Sequence, residues 1–413
     1  MRTDMKRIIL IAYDINPQYG SECEVANIWL KIISQHHMID VFTKEDHRAD
    51  IQNAVYVNTR FHYISLNRLL MAALNRLGLY NVLNAIFIRE VKRMIKKEIN
   101  LADMSVVHSL TPLGIHSWND LYKLGVPVMA GPVIGAVRFP KGFSSILKFN
   151  YLRSFLRELY YYHLMHNIPG WKKYFQNAAH IIVGTEYVKQ LLPKNRKGKI
   201  SVIFDACVDT DKYFPSSDLK ASGGVVKILF VGQLLAHKGI LLLLEAAKGI
   251  AREYEGQFKI TILGRGPLES IVKKEIIKND LEDKVDLKTE YVNQNDLLKM
   301  YQNSDIFCLP AIKDAGGMVG LEAMACGLPV ITSNCGGPGY VVTDECGIRI
   351  NLTDHEGYVK DLKNALSYLI DNEHIRREMG AKARKRVEKL FSIESVKNKI
   401  LGVYRNVLNE NEI

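Results

Sequence analysis

The residues of this chain best suited to chemistry lie between Pro310 and Gly339, PAIKDAGGMVGLEAMACGLPVITSNCGGPG. Asp314 is followed by the glycine turn Gly316 and Gly317, and the apolar spacing from Val319 onward predicts a helix that presents Glu322. The first N–H groups of a helix have no partner within it, so such a turn can hold an anion with backbone alone. Carboxylates beside it accept hydrogen bonds from vicinal hydroxyls, a pattern that suits sugars. The same spacing also serves an ordinary strand-turn-helix whose acids cap the helix or face water.

A second group opens the C-terminal half, KILFVGQLLAHKG, where a strand ends at Gly232 and Gln233, Lys238 and Gly239 precede a helix. Lys238 is a compact cation suited to a diphosphate, or else a solvated lysine at a helix start; Gln233 offers neutral hydrogen bonds only. In ILGRGPL, Gly264, Gly266 and Pro267 predict a tight turn. Gly20 and Ser21, in YDINPQYGSECEVANIW, occupy a loop after the first strand. There a glycine lets backbone approach a ligand and the serine suits an N-cap. His108, ending SVVH, is either a structural histidine or a neutral imidazole bonding a sugar or phosphate oxygen.

Taken together these motifs resemble the retaining family 4 glycosyltransferases of the GT-B fold, most closely from Lys227 to Gly339. The resemblance implies that Glu322 binds the nucleotide ribose. Asp314, one methylene shorter than the family's glutamate, then contacts the donor sugar, and the Gly316, Gly317, Met318 and Val319 turn addresses sugar and phosphate. It implies Lys238 and Gln233 at the diphosphate, where relatives commonly carry arginine in place of Gln233. It further implies the Gly264 turn nearby, main-chain contacts to the nucleobase at Glu290, Tyr291 and Val292, and Gly20 with Ser21 meeting the donor diphosphate. The family's sugar-binding histidine commonly falls where this chain has Leu110, two residues after His108. His108, Lys238 and Asp314 are the catalytic candidates.

The implied activity is transfer of a sugar, with retention, from a nucleoside diphosphate sugar to a hydroxyl of a glycan or lipid-linked acceptor in cell-surface polysaccharide assembly. No metal or other cofactor is implied. The rival readings are a sugar-nucleotide epimerase on the same scaffold and a catalytically silent nucleotide-binding homologue.

The elements that must position these residues alternate between short β-rich runs and helical spacing, the pattern of α/β parallel sheets. Candidate strands are Ile8 to Tyr13, Ile39 to Thr43, Ser105 to His108, Val126 to Gly131 and Ile181 to Gly184, and then Val226 to Gly232, Lys259 to Gly264, Ile306 to Pro310 and Pro329 to Thr332. The polar stretch PSSDLKASGG, Pro215 to Gly224, separates the two sets. The expected architecture is GT-B: two Rossmann-like, doubly wound domains facing across a cleft, residues 1–208 binding acceptor and residues 225–390 binding donor. Residues 391–413 contain an amphipathic helix that packs on its own domain or crosses back to the first.

With 413 residues, 47% hydrophobic and 24% charged, the composition is that of a folded globular chain and excludes disorder as an account of any long stretch. Six cysteines without CxxC spacing point to reduced thiols rather than a zinc or redox centre. Ile8 to Tyr13 reads as a strand rather than a signal peptide, which predicts a cytoplasmic protein. Leu69 to Ile88 is interrupted by Asn75, Arg76, Asn81 and Asn84, so a membrane span is not expected there. The net charge of +11 and the basic, aromatic stretch from Arg138 to Lys173 suit peripheral contact with an acidic membrane surface, or a solvated basic face over packed aromatics. No nucleic-acid-binding module accompanies the charge.

Overall fold

Apolar, β-branched runs that are buried on both faces build two parallel sheets. The computed structural model describes residues 5–16, 21–135, 137–140, 142–143, 167–216 and 224–410. The chain divides into two units: Met1–Ala136 with Phe155–Asp205 and Val396–Ile413, and Val137–Ser154 with Ala206–Ser395.

In the first unit the strands are β1 (Arg7–Ala12), β2 (Met38–Lys44), β3 (Thr59–Ile64), β4 (Val106–Thr111), β5 (Val128–Val133), β6 (His180–Val183) and β7 (Lys199–Val202). They pair in parallel in the order β3-β2-β1-β4-β5-β6-β7. Its helices are α1 (Ser21–Ile33), α2 (Arg48–Gln52), α3 (Arg68–Leu77), α4 (Tyr80–Glu98), α5 (Pro169–Asn177) and α6 (Glu186–Leu191). Leu83, Phe87, Val91 and Ile95 recur every four residues on α4 and are all buried, Phe87, Val91 and Ile95 within the core that also holds Ile9, Val107 and Phe175. By contrast, α3 buries no residue. Gly78, with φ of 72°, ends α3 and splits the Leu69 to Ile88 stretch into two helices. Among the described residues no helix is long and apolar enough to cross a membrane.

The second unit contains β8 (Val226–Val231), β9 (Phe258–Leu263), β10 (Val285–Lys288), β11 (Ile306–Leu309), β12 (Val330–Ser333) and β13 (Gly347–Ile350), in the order β10-β9-β8-β11-β12-β13. All its pairings are parallel. Its helices are α7 (Ile240–Ile250), α8 (Glu269–Lys278), α9 (Gln294–Gln302), α10 (Met318–Ala325), α11 (Gly336–Val341), α12 (His355–Asp371) and α13 (Glu373–Leu390). Phe143 groups with this unit, buried with its ring edge-on to Tyr358 at 5.6 Å. The last helix, α14 (Ile393–Glu410), belongs to the first unit from Val396 onward, and there Val396, Ile400, Val403, Tyr404 and Val407 are buried.

Strand order reverses between β1 and β4 in one sheet and between β8 and β11 in the other. At such switch points the loops diverge and leave room for a ligand beyond the carboxyl ends of the strands.

Candidate functional site

The parallel pairing of the second sheet puts the loops after β8, β9, β10, β11 and β12 at one end. The loop after β8 makes a single turn of 3-10 helix, Ala236–Lys238, and stops at Gly239. Gly239 has φ of 77°, and a β-carbon there would lie 1.9 Å from the Pro310 carbonyl oxygen, so only glycine lets this turn press on the end of β11. Ile312 N–H donates to the His237 carbonyl at 2.9 Å and ties the two loops together.

That tie brings Lys238 to Asp314, Nζ to Oδ2 at 2.7 Å. The second Asp314 oxygen, Oδ1, accepts from the Gly316 N–H at 3.1 Å, and its backbone carbonyl accepts from Gly337 N–H at 3.1 Å. Gly336 makes the last contact possible: it has φ of 55°, and a β-carbon there would sit 1.8 Å from the Asp314 carbonyl oxygen. The turn after β12 therefore clamps the loop that carries Asp314, Gly316 and Gly317.

Helix α10 follows directly. Gly317 is its N-cap and supplies no side-chain cap, so Met318 and Val319 open the helix with backbone N–H groups at the same sheet end. One turn later the Glu322 carboxylate accepts from the Tyr301 hydroxyl, Oε2 to Oη at 2.8 Å. Tyr301 is wholly buried on α9, and burial together with the Glu322 charge holds its phenol well above the ordinary value. It is therefore a fixed hydroxyl donor that aims Glu322. Sequence reading missed Tyr301, because a tyrosine at an apolar helix position gives no sign that its hydroxyl serves a residue 21 positions away.

Cys335 lies beside this loop, its thiol pushed up to about 12 by burial and the Asp314 charge. It donates to the Ala311 carbonyl and is a poor nucleophile. Gln233 is exposed, and Gly264 directly follows β9 next to Gly232, where the Leu234 N–H donates to the Arg265 carbonyl at 2.8 Å. Glu290, exposed, Tyr291, 83% exposed, and Val292, half-buried, follow β10 at the far side of the same sheet end. Among the described residues no group of three or more His, Cys, Asp or Glu side chains could hold a metal ion.

In the first unit Gly20 and the Ser21 side chain lie outside the described residues. Next to them, the Glu22 carboxylate accepts from Leu113 N–H at 2.8 Å, and burial raises its carboxyl above the ordinary value. Beyond β1 and β2, Lys44 Nζ and His47 Nε2 approach Asp14 Oδ1 at 2.5 and 3.1 Å. Burial pushes the Asp14 carboxyl up, but the His47 hydrogen bond and the Lys44 charge outweigh it and leave it below its usual range. Asp14 directly follows the run Ile8 to Tyr13, and nothing in its local sequence marks it as part of a cluster.

His108 requires a correction. It sits within β4, wholly buried, with Nε2–H donating to the Gly131 carbonyl and Nδ1 accepting from the Tyr404 hydroxyl. Burial pushes its imidazole down to about 4, so the ring is neutral. Neither nitrogen is available to a sugar or phosphate, and the residue ties β4 to α14. Of the basic, aromatic stretch, Arg138, Phe139, Phe143, Trp171, Lys172 and Lys173 are described, and Phe143 and Trp171 are buried. Lys141 and the remainder, Lys148 to Tyr162, fall outside the described residues.

Residues 215–386, which carry the whole Lys238, Asp314 and Glu322 arrangement, match the family described as Glycosyl transferases group 1. The chain is 27% identical over 231 residues to an uncharacterised glycosyltransferase of Methanocaldococcus jannaschii, covering 56% of this chain and 60% of that protein. It is 28% identical over 194 residues to the capsular polysaccharide biosynthesis glycosyltransferase CapM of Staphylococcus aureus, covering 44% of this chain and 47% of that protein. The chain thus spans about half the length of the curated relatives it matches. The structure of Anabaena HepE, solved with UDP, superposes with a TM-score of 0.64 over 97% of this chain and 100% of that one, at 14% identity. The likeness establishes the GT-B fold for this chain, with its two parallel α/β sheets.

Proposed function

We propose that this chain transfers a sugar, with retention at the anomeric carbon, from a nucleoside diphosphate sugar to a hydroxyl of a glycan or lipid-linked acceptor in cell-surface polysaccharide assembly. The observation that carries the reading is the Lys238–Asp314 pair beside the glycine turn and helix start of α10. An ammonium has three donors, so Lys238 can keep Asp314 and still meet a diphosphate oxygen. Backbone N–H groups at the start of α10 would share the same charge, worth about 0.3–1 kcal/mol where exposed and more where water is excluded. In this reading Glu322, aimed by Tyr301, takes the ribose hydroxyls, and Asp314 offers its remaining lone pairs to the sugar. Binding of UDP by HepE and the capsular role named for CapM support a nucleotide-sugar donor and a polysaccharide acceptor.

In the proposed step the bond from C1 to the leaving diphosphate oxygen breaks while the acceptor oxygen bonds C1 on the same face. The acceptor proton passes to the departing phosphate oxygen. Lys238 and the α10 amides stabilise the charge that develops there. The reaction needs no metal and no carboxylate nucleophile. His108 has no part in it. We place the reaction on the cytoplasmic side of a membrane whose acidic surface attracts the chain's net charge of +11.

Incubation with UDP-, GDP- and ADP-sugars and a lipid pyrophosphate acceptor, with the anomer resolved, tests this. The expected product keeps the donor's anomeric configuration, and an inverted product refutes the mechanism. Gln233 favours one other reading, a nucleotide-binding protein without turnover, because an exposed neutral amide stands where relatives commonly carry a guanidinium. Tight nucleotide binding with neither transfer nor hydrolysis would identify that case.

A further inference from the structure

An isolated helix as short as α3 is marginal in water and normally survives by burying one face. Yet α3 buries no residue, and among the described elements it packs chiefly on α4. Leu69, Leu70, Ala73 and Leu77 share an arc of about 100° on its surface. Leu69 is 83% exposed and Leu77 68%. The apolar surface continues past the Gly78 break into Leu79, Tyr80 and Val82, all exposed. A run of exposed leucines of this extent marks an interaction surface.

The surrounding charge identifies what it meets. Arg68 and Arg76 flank the stripe on α3, and α4 adds Arg89, Lys92, Arg93, Lys96 and Lys97, against Glu90 as the acidic residue between Asn67 and Lys97. One residue past Tyr80 begins a groove of about 630 Å³ whose rim carries Arg89, Lys92, Lys96, Lys123 and Lys173, with Trp118 and Tyr122 in its wall. Asp120 pairs with Lys92 and Lys123 there, leaving the cations in excess. Leucine and tyrosine on one face, arginine and lysine around it, and too short an apolar run in the hairpin to cross a bilayer are the composition of a helix lying in a lipid interface.

We propose that the α3–α4 hairpin seats this chain on an anionic lipid bilayer, the apolar stripe entering the headgroup boundary and the basic groove receiving lipid phosphates. The proposal deepens the reading of a membrane-held acceptor and rests on it for its purpose, but it can be measured without any donor or acceptor. The hairpin, rather than the stretch from Arg138 to Lys173, is then the docking element.

The test is sedimentation of the full chain with vesicles of equal parts phosphatidylglycerol and phosphatidylcholine, against vesicles of phosphatidylcholine alone. Binding is expected to the first only, and to fall about tenfold or more in the double variant Leu69→Glu, Leu77→Glu. Because both side chains are exposed, the melting temperature and the rate on a water-soluble acceptor should not change. Charge removal in Arg89→Gln should weaken binding about fivefold, with strong dependence on salt. Failure to bind phosphatidylglycerol vesicles, or equal binding by the double variant, overturns the proposal. So does a wild-type dimer by light scattering that the double variant splits, since a second copy would then be the occupant. Transfer to a lipid acceptor by a chain that does not sediment with vesicles would sink the hairpin's role and leave the catalytic reading standing.

Discussion

Lys238 Nζ stands 2.7 Å from Asp314 Oδ2, with the two side chains only 21% and 13% exposed. The pair joins the switch-point loops after β8 and β11, so each residue fixes the other's approach to the start of α10. Replacing Lys238 with alanine removes the proposed phosphate cation and leaves a largely buried carboxylate without its partner. Turnover should fall about 100-fold or more, and Lys238→Arg should recover part of it. Initial rates across the series, with melting temperatures to separate folding from chemistry, check this.

Tyr301→Phe deletes one hydroxyl and preserves the ring that packs near Tyr213 and Phe307. Losing a hydrogen bond to a charged group costs about 1.5–3 kcal/mol where the acceptor stays buried and less where water replaces the donor. The expected result is a rise in the donor KM with kcat little changed, since the bond aims the ribose contact rather than the leaving group. Titration calorimetry with UDP reads the same effect as weaker binding.

Gln233→Arg would restore a guanidinium at an exposed position by the proposed diphosphate site. An added charge-assisted bond is worth about 1 kcal/mol at such a site. UDP should bind about fivefold more tightly, measurably less so in high salt.

The His108 imidazole, pushed from an ordinary 6.5 down to about 4 by burial, makes folding depend on pH. Between these values the unfolded chain binds the extra proton and the folded chain does not. Stability is therefore complete above pH 6.5 and falls as the pH drops toward 4, by about 3 kcal/mol from this residue alone. Urea denaturation at pH 7 and pH 4.5 should show the loss, and His108→Gln should show a shallower one. An unchanged slope in that variant would assign the effect to other groups.

Gly336→Ala is expected to be among the most damaging single-methyl changes. The new carbon would fall 1.8 Å from the Asp314 carbonyl oxygen, so either the α11 turn or the Asp314 loop must move. A loss of about 3 kcal/mol or more in denaturant unfolding is expected, with kcat/KM reduced alongside.

The strands the sequence pattern bounded all lie inside a sheet, β10 was expected only as the run before Glu290, and the three passed over, β3, β7 and β13, are edge strands. The reason is physical. Interior strands such as RIILIA are buried on both faces and read as apolar runs, whereas TRFHYI, KISV, VDLK and GIRI meet water on one side and carry its polarity. Asp314, Lys238 and Glu322 were legible because glycine turns and helix starts leave marks in local spacing. Tyr301 and the Asp14–Lys44–His47 cluster were not, since their contacts join distant segments. His108 looked available because a strand end is usually open. The residue is in fact third in β4, roofed by Trp29 and Tyr404.

The bond from His108 to Tyr404 also spans 296 positions of chain. A ribosome that has released residues 1–205 has therefore not yet made the helix that completes the first sheet's covering layer. During synthesis β1 and β4 wait, with Trp29 and His108 uncovered, until α14 emerges. Folding of the first unit is thus tied to the synthesis of α14, and truncation before Val396 would strand a half-sealed sheet prone to chaperone capture and proteolysis.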